Sequence, residues 1–126
     1  MEKIGSALIL EADTKIAAQL KALLPDQFGQ VIVAANTAEA LKVLREKEIQ
    51  MAFVGDPLEG GSCFDLLKDI VRSSPLTYVV LITDESQEVI HGKAEGYGIL
   101  GHIPRIFSSS HIKTLVDRYK QITQGL

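Results

Sequence analysis

The chain has 126 residues, of which 46% are hydrophobic and 23% are charged, and its formal net charge at pH 7 is −3. This length suits one domain over residues 1–126. No apolar run approaches the roughly 20 residues that a membrane-spanning helix needs. Basic and acidic side chains are interspersed, which argues against a nucleic-acid-binding surface, and one cysteine with three histidines gives no spaced set of metal ligands.

The first part of the chain alternates between strand and helix patterns. Residues Ser6–Leu10 form a continuous apolar run, which is typical of a strand buried on both faces. Asp13 is placed to cap a helix that runs to Pro25. A second strand over Gln30–Ala34 and a second helix capped by Asn36 repeat this pattern.

The middle of the chain predicts two more strands around a third helix. Met51–Gly55 is an apolar run of strand length that ends at Asp56 and Pro57. A third helix then includes Phe64, Leu67, Ile70 and Val71 and ends before Ser73. Thr77–Thr83 is rich in β-branched and aromatic residues and predicts the fourth strand.

The last part of the chain contains weaker signals. The segment Asp84–Glu95 predicts a poor helix, because Gly92 lies inside it. A short fifth strand is expected around Ile99 and Leu100, ending at residues 102–104. The final helix follows the serines at 108–110.

Five strand–helix units with short connections predict an α/β fold with a parallel sheet and helices on both faces. A flavodoxin-like strand order of 2-1-3-4-5 fits five units in this length. The carboxyl ends of the strands then bring together Glu11–Asp13, Asp56, Thr83 and Ile103–Pro104.

Acids after the first strand, an acid after the third, a Thr that ends the fourth and an X-Pro step after the fifth resemble the CheY-like receiver domain of bacterial response regulators. The resemblance covers essentially the whole chain. It implies an acidic pair that holds Mg²⁺, an Asp that accepts a phosphoryl group, a Ser or Thr that contacts this group, and a Lys that pairs with its charge. Phosphoryl transfer to a carboxylate concentrates negative charge at the acceptor, and the metal and the lysine offset this charge.

This sequence departs from that pattern at most of these positions. Ala12 stands in place of the second metal-binding acid, so Glu11 and Asp13 are the remnant of the acidic pocket. An alignment without gaps from Phe64-Asp65-Leu66-Leu67 places the phosphoacceptor on Gly55, and a shift of one residue recruits Asp56. Ile103 replaces the lysine, although Pro104 is retained, and Thr83 matches the switch position.

These departures predict a pseudo-receiver, which is a receiver fold that signals by protein–protein interaction without conventional aspartyl phosphorylation. On this interpretation the domain is not an enzyme, and it needs no cofactor and no metal. The alternative is a divergent working receiver that is phosphorylated on Asp56, with Mg²⁺ held by Glu11 and Asp13. A flavin-binding protein is disfavoured, because the two carboxylates after the first strand repel phosphate.

The expected partner is another protein domain, a second copy of the chain, or an output domain of a longer chain. Partners of this segment are not expected to include nucleic acid or membranes. The absence of a leader pattern in residues 1–5 predicts a cytoplasmic location. The candidate interface uses the fourth helix, the fifth strand and the fifth helix, with five exposed candidates: Val89, Lys93, Tyr97, Lys113 and Arg118.

Overall fold

The computed structural model describes residues 3–124, which form a five-stranded parallel sheet with the strand order β2-β1-β3-β4-β5. The predicted architecture and strand order are therefore confirmed. The strands are β1 Ile4–Leu10, β2 Phe28–Val33, β3 Met51–Gly55, β4 Tyr78–Ile82 and β5 Gly101–Ile103. The helices are α1 Thr14–Leu23, α2 Thr37–Glu46, α3 Cys63–Ser73, α4 Gln87–Ala94 and α5 Ser109–Thr123, with a short 3-10 turn at Leu24–Asp26.

Two hydrophobic cores hold the helices against the sheet. Alternate residues of one strand point to opposite faces, so Ala52 packs into one core and Phe53 into the other. The core that contains Ala52 is covered by α2, α3 and α4, and the core that contains Phe53 is covered by α1 and α5. Every residue of β3 is buried, which is the burial expected of a central parallel strand.

The helix starts follow the capping pattern of the sequence. The Asp13 carboxylate accepts hydrogen bonds from the amides of Lys15 and Ile16, at 2.8 and 3.3 Å. The Asn36 side chain accepts from the amide of Glu39 at 2.8 Å. Both predicted caps are confirmed, and each satisfies amides that have no partner inside the helix.

Two elements near the carboxyl end differ from the sequence prediction. Helix α4 is shorter than the predicted segment Asp84–Glu95, because Ser86 caps it through the amide of Val89 at 3.2 Å and Gly96, with φ +87°, follows its end. Strand β5 lies at Gly101–Ile103 rather than around Ile99 and Leu100, and it pairs with Val80–Ile82 of β4.

Glycine at position 101 lets α5 approach the sheet. A Cβ atom there would come within 2.7 Å of the Leu115 side chain. A side chain at this point would have to displace the end of the Leu115 side chain, so Gly101 allows the edge strand and the last helix to pack closely.

No helix within residues 3–124 combines the length and the apolar character that crossing a membrane requires.

The central strand provides a direct test of the packing. Phe53 is fully buried, and its ring meets Phe28 edge to face at a centroid distance of 6.2 Å. We expect Phe53→Ala to lower the free energy of unfolding by about 3–5 kcal/mol, because it leaves a cavity in the core. Urea denaturation measures this change. The control is Leu76→Ala, because Leu76 is 87% exposed, and this variant should change stability by less than about 0.5 kcal/mol. Equal effects of the two substitutions would contradict the packing described here.

Candidate functional site

The carboxyl edge of the sheet brings together three of the side chains that the sequence singled out. Glu11 follows β1, Asp56 follows β3 and Thr83 follows β4. Two other predicted members of the site have different roles. The Asp13 carboxylate caps α1, and the Ile103 side chain is buried in the core between the sheet and the helices α1 and α5.

Glu11 is a buried carboxylate with defined partners. Its side chain has no exposed area, and its Oε2 atom accepts a hydrogen bond from the amide of Asp13 at 2.8 Å. Gly55 provides the space for this carboxylate, because a Cβ atom at position 55 would overlap it. Gly55 is also the residue that an alignment without gaps places at the phosphoacceptor position. Because it has no side chain, it leaves room for Glu11, the acid that follows the neighbouring strand β1.

The guanidinium of Arg105 pairs with Glu11 through two parallel hydrogen bonds. Nη1 donates to Oε1 at 3.0 Å, and Nη2 donates to Oε2 at 3.1 Å. This bidentate arrangement is the strongest geometry available to an arginine and a carboxylate. The Arg105 side chain is 19% exposed, so the pair is mostly shielded from water.

The same guanidinium also contacts the ends of two further strands. Nη1 donates to the carbonyl oxygen of Asp56 at 2.7 Å and to that of Ile82 at 3.2 Å. The backbone amide of Arg105 donates to the Asp84 carboxylate at 2.9 Å, which fixes the loop from which the side chain extends. One side chain after β5 therefore connects the ends of β1, β3 and β4.

The electrostatic environment keeps Arg105 charged. Burial acts to lower the pKa of Arg105, but the hydrogen bonds and charge of Glu11, together with the charges of Asp13 and Asp84, raise it above its ordinary value. A permanent positive charge therefore lies beside the acid that follows β1.

Asp56 is half-buried and is positioned by two donors. The Thr83 hydroxyl donates to Oδ2 at 3.2 Å, and the amide of Cys63 lies 3.4 Å from Oδ1, near the start of α3. Thr83 also accepts a hydrogen bond from the amide of Glu85 at 3.2 Å. Asp56 and Thr83 are therefore in contact, as the strand order predicts.

Cys63 is a buried thiol at the start of α3 rather than an exposed thiolate. Burial, followed by the charge of Asp56, raises the pKa of Cys63 to about 12. The thiolate is the reactive form of cysteine, so this environment disfavours redox chemistry at Cys63.

Two of the acids at this edge already have partners within the chain. Asp13 is engaged in capping α1, Ala12 has no side-chain oxygen, and Glu11 is already paired with a guanidinium. Within residues 3–124, no cluster of three or more histidine, cysteine or acidic side chains is arranged to hold a metal ion. An oxygen-rich cation site needs carboxylates that are free to coordinate.

Arg105 is the residue of this site that the sequence prediction missed. It lies two residues after Ile103, where the resemblance implies a lysine, and it supplies a cation from a different position of the same loop. The signal in the sequence was a basic residue directly after Pro104, in a loop that the strand order places beside Glu11.

The candidate interface residues divide into two groups. Lys93, Lys113 and Arg118 are exposed, whereas Val89 and Tyr97 are half-buried rather than fully exposed. Tyr97 packs against the core that α2, α3 and α4 cover. The Lys93 ammonium lies 5.3 Å from the centre of the Phe64 ring, which is a cation–π distance.

Comparison with known proteins gives a consistent assignment. Residues 7–117 match the family described as "Response regulator receiver domain". The chain is 26% identical over 119 residues to a "Putative response regulator NtrX-like" protein of Rickettsia bellii, covering 93% of this chain and 25% of that protein. It is also 28% identical over 105 residues to a "Uroporphyrinogen decarboxylase" of Hyphomonas neptunium, covering 77% of this chain and 30% of that protein. The chain thus spans less than a third of each of these relatives.

A solved structure supports the fold. The crystal structure of a response regulator receiver domain protein (CheY-like) from Methanospirillum hungatei superposes with a TM-score of 0.79 at 18% identity. The match covers 95% of this chain and 99% of the other, so the predicted CheY-like fold is confirmed. Because the family match covers most of the sequence and the whole strand order agrees, the chain belongs to the response regulator receiver domain family of two-component signal transduction.

Proposed function

We propose that this domain is a pseudo-receiver that signals through protein–protein contacts and is not switched by Mg²⁺-dependent phosphorylation of Asp56. The observation that carries the proposal is the bidentate pair between Arg105 and Glu11. A guanidinium from the chain itself supplies the positive charge that a metal ion supplies in the chemistry implied by the family.

The geometry disfavours Mg²⁺ binding for two reasons. A metal ion would have to displace Arg105 from Glu11, and this would break two charge-assisted hydrogen bonds in a shielded site. It would then find one carboxylate where the family uses two, because Ala12 offers no ligand.

The position of Ile103 further disfavours stabilisation of an acyl phosphate. Its side chain is 1% exposed and lies in the core, so no cation reaches Asp56 from this position. The Arg105 guanidinium contacts the carbonyl oxygen of Asp56, while the hydrogen bonds of the Asp56 carboxylate come from Thr83 and Cys63. Within residues 3–124 no lysine or arginine forms an ion pair with that carboxylate, so negative charge added to it would lack a cation in direct contact.

The second candidate is a working receiver phosphorylated on Asp56. The hydrogen bond from Thr83 to Asp56 at 3.2 Å favours it, because a hydroxyl beside the acceptor is one part of the family's machinery. A threonine at the end of a strand also has a structural role, and here it accepts from the amide of Glu85 as well.

The proposal predicts that the domain does not become phosphorylated. After incubation with acetyl phosphate and Mg²⁺, we expect intact-protein mass spectrometry to show no phosphoryl adduct, while a receiver that retains both acids, the acceptor and the lysine is modified under the same conditions. Asp56→Asn is the matched variant. A stoichiometric adduct on the wild type that is absent from Asp56→Asn would establish the working receiver instead.

The ion pair predicts that removing Arg105 alone destabilises the domain more than removing Arg105 and neutralising Glu11 together. We expect Arg105→Ala to lower the free energy of unfolding by about 2 kcal/mol, because it leaves the buried Glu11 carboxylate without its cation. The double variant Glu11→Gln/Arg105→Ala should recover part of this loss, because a neutral amide needs no counter-charge. Chemical denaturation measures both changes. Arg45→Ala, on the exposed surface of α2, is the control and should have little effect. A silent Arg105→Ala would refute the structural role of the pair.

The interaction function predicts self-association through the face formed by α4, β5 and α5. We expect light scattering to show a mass that increases with protein concentration, and the variant Lys113→Glu to reduce this increase by reversing an exposed charge. Lys21→Glu, at the exposed end of α1, is the matched control. A monomer at every concentration would exclude self-association and leave a different protein as the partner.

A further inference from the structure

The first turn of α5 is closed by a histidine. The backbone amide of Ser108, the residue before the helix, donates a hydrogen bond to Nδ1 of His111 at 3.0 Å. This is the position at which a capping box ordinarily uses Glu or Gln to accept from the same amide. An imidazole therefore replaces a carboxylate or an amide oxygen at the start of the longest helix.

The direction of this hydrogen bond fixes the protonation state of the ring. A backbone amide can only donate, so Nδ1 must carry a lone pair and the ring hydrogen must be on Nε2. A protonated imidazole carries hydrogens on both nitrogens and cannot accept. The Ser108 hydroxyl, 3.3 Å from the same nitrogen, can rotate to become an acceptor, but the Ser108 amide cannot.

Among the residues that line the groove beside His111, none is acidic. His111 lines a groove of about 360 Å³ between α4, β5 and α5. The other titratable or charged side chains that line this groove are His102 from β5 and Arg118 from α5, while α4 contributes the neutral Gln87. The first turn of α5 contains no acidic residue to offset the positive end of the helix dipole.

We propose that His111 is a proton-operated cap of α5, independent of whether Asp56 is phosphorylated. The neutral ring closes the first turn. A protonated ring cannot accept from the Ser108 amide, so protonation removes this hydrogen bond and weakens the first turn.

The consequence concerns the surface on which the cap lies. Ser110, His111 and Thr114 form the α5 side of the groove, and Arg118 lies further along the same wall. Protonation of His111 therefore both loosens this wall and adds charge beside Arg118. One proton therefore affects both the local structure and the charge of the face formed by α4, β5 and α5.

Amide hydrogen exchange measured by NMR tests the proposal. Between about pH 7.5 and about pH 5.5, after correction for intrinsic exchange rates, we expect the protection of the Ser108 amide, which donates to the ring, to fall roughly tenfold, the scale of a lost cap. His111→Gln keeps an acceptor at both pH values, because its amide oxygen does not titrate in this range, so its protection should not fall.

Two controls isolate the role of this ring. His102→Gln and His91→Gln should retain the fall seen in the wild type, because their side chains are not part of the cap. Nitrogen chemical shifts of the His111 ring should place its hydrogen on Nε2 at the higher pH. Equal wild-type protection at both pH values, a fall of the same size in His111→Gln, or a ring hydrogen on Nδ1 at the higher pH would each overturn the proposal.

Discussion

The carboxyl edge of the sheet depends on one ion pair between side chains that are 94 residues apart in the chain. Arg105 binds Glu11 and also contacts the carbonyl oxygens that end β3 and β4, so the ends of three strands converge on one guanidinium. A buried carboxylate is costly unless a cation and hydrogen bonds satisfy it. Here the amide of Asp13 and the guanidinium of Arg105 provide the partners of Glu11. The need to pair this carboxylate explains why the loop after β5 lies beside the end of β1.

The carboxyl edge combines the fold of the family with its own arrangement of charges. The sheet, the helices on both faces and the contact between Asp56 and Thr83 are all retained, because strand order alone brings these elements together. The charges at the same edge are arranged differently: the lysine position carries Ile103, which faces the core, and the cation comes from Arg105.

Local patterns in the sequence were sufficient for most of the fold. Continuous apolar runs identified the buried strands, and Asp13 and Asn36 marked helix starts, because those signals act over a few residues. The short strand β5 was misplaced by about two residues, since a three-residue strand that contains Gly101 has little intrinsic preference and its position is set by pairing with β4. Arg105 was missed because the path of the loop after Pro104 decides which acid its side chain reaches, and no local pattern encodes that path.

Gly55 has a consequence for how this sequence can change. Any side chain at position 55 meets the Glu11 carboxylate, so an acid cannot be introduced there while Glu11 keeps its present place. Glu11 in turn is held by Arg105, so a change at position 55 requires adjustment at two distant positions. A side chain at position 55 and the present pairing of Glu11 with Arg105 therefore exclude each other, so we expect the effects of substitutions at these three positions not to add. Because position 55 has no side chain, the pair of Glu11 and Arg105 occupies space that most substitutions at this position would need.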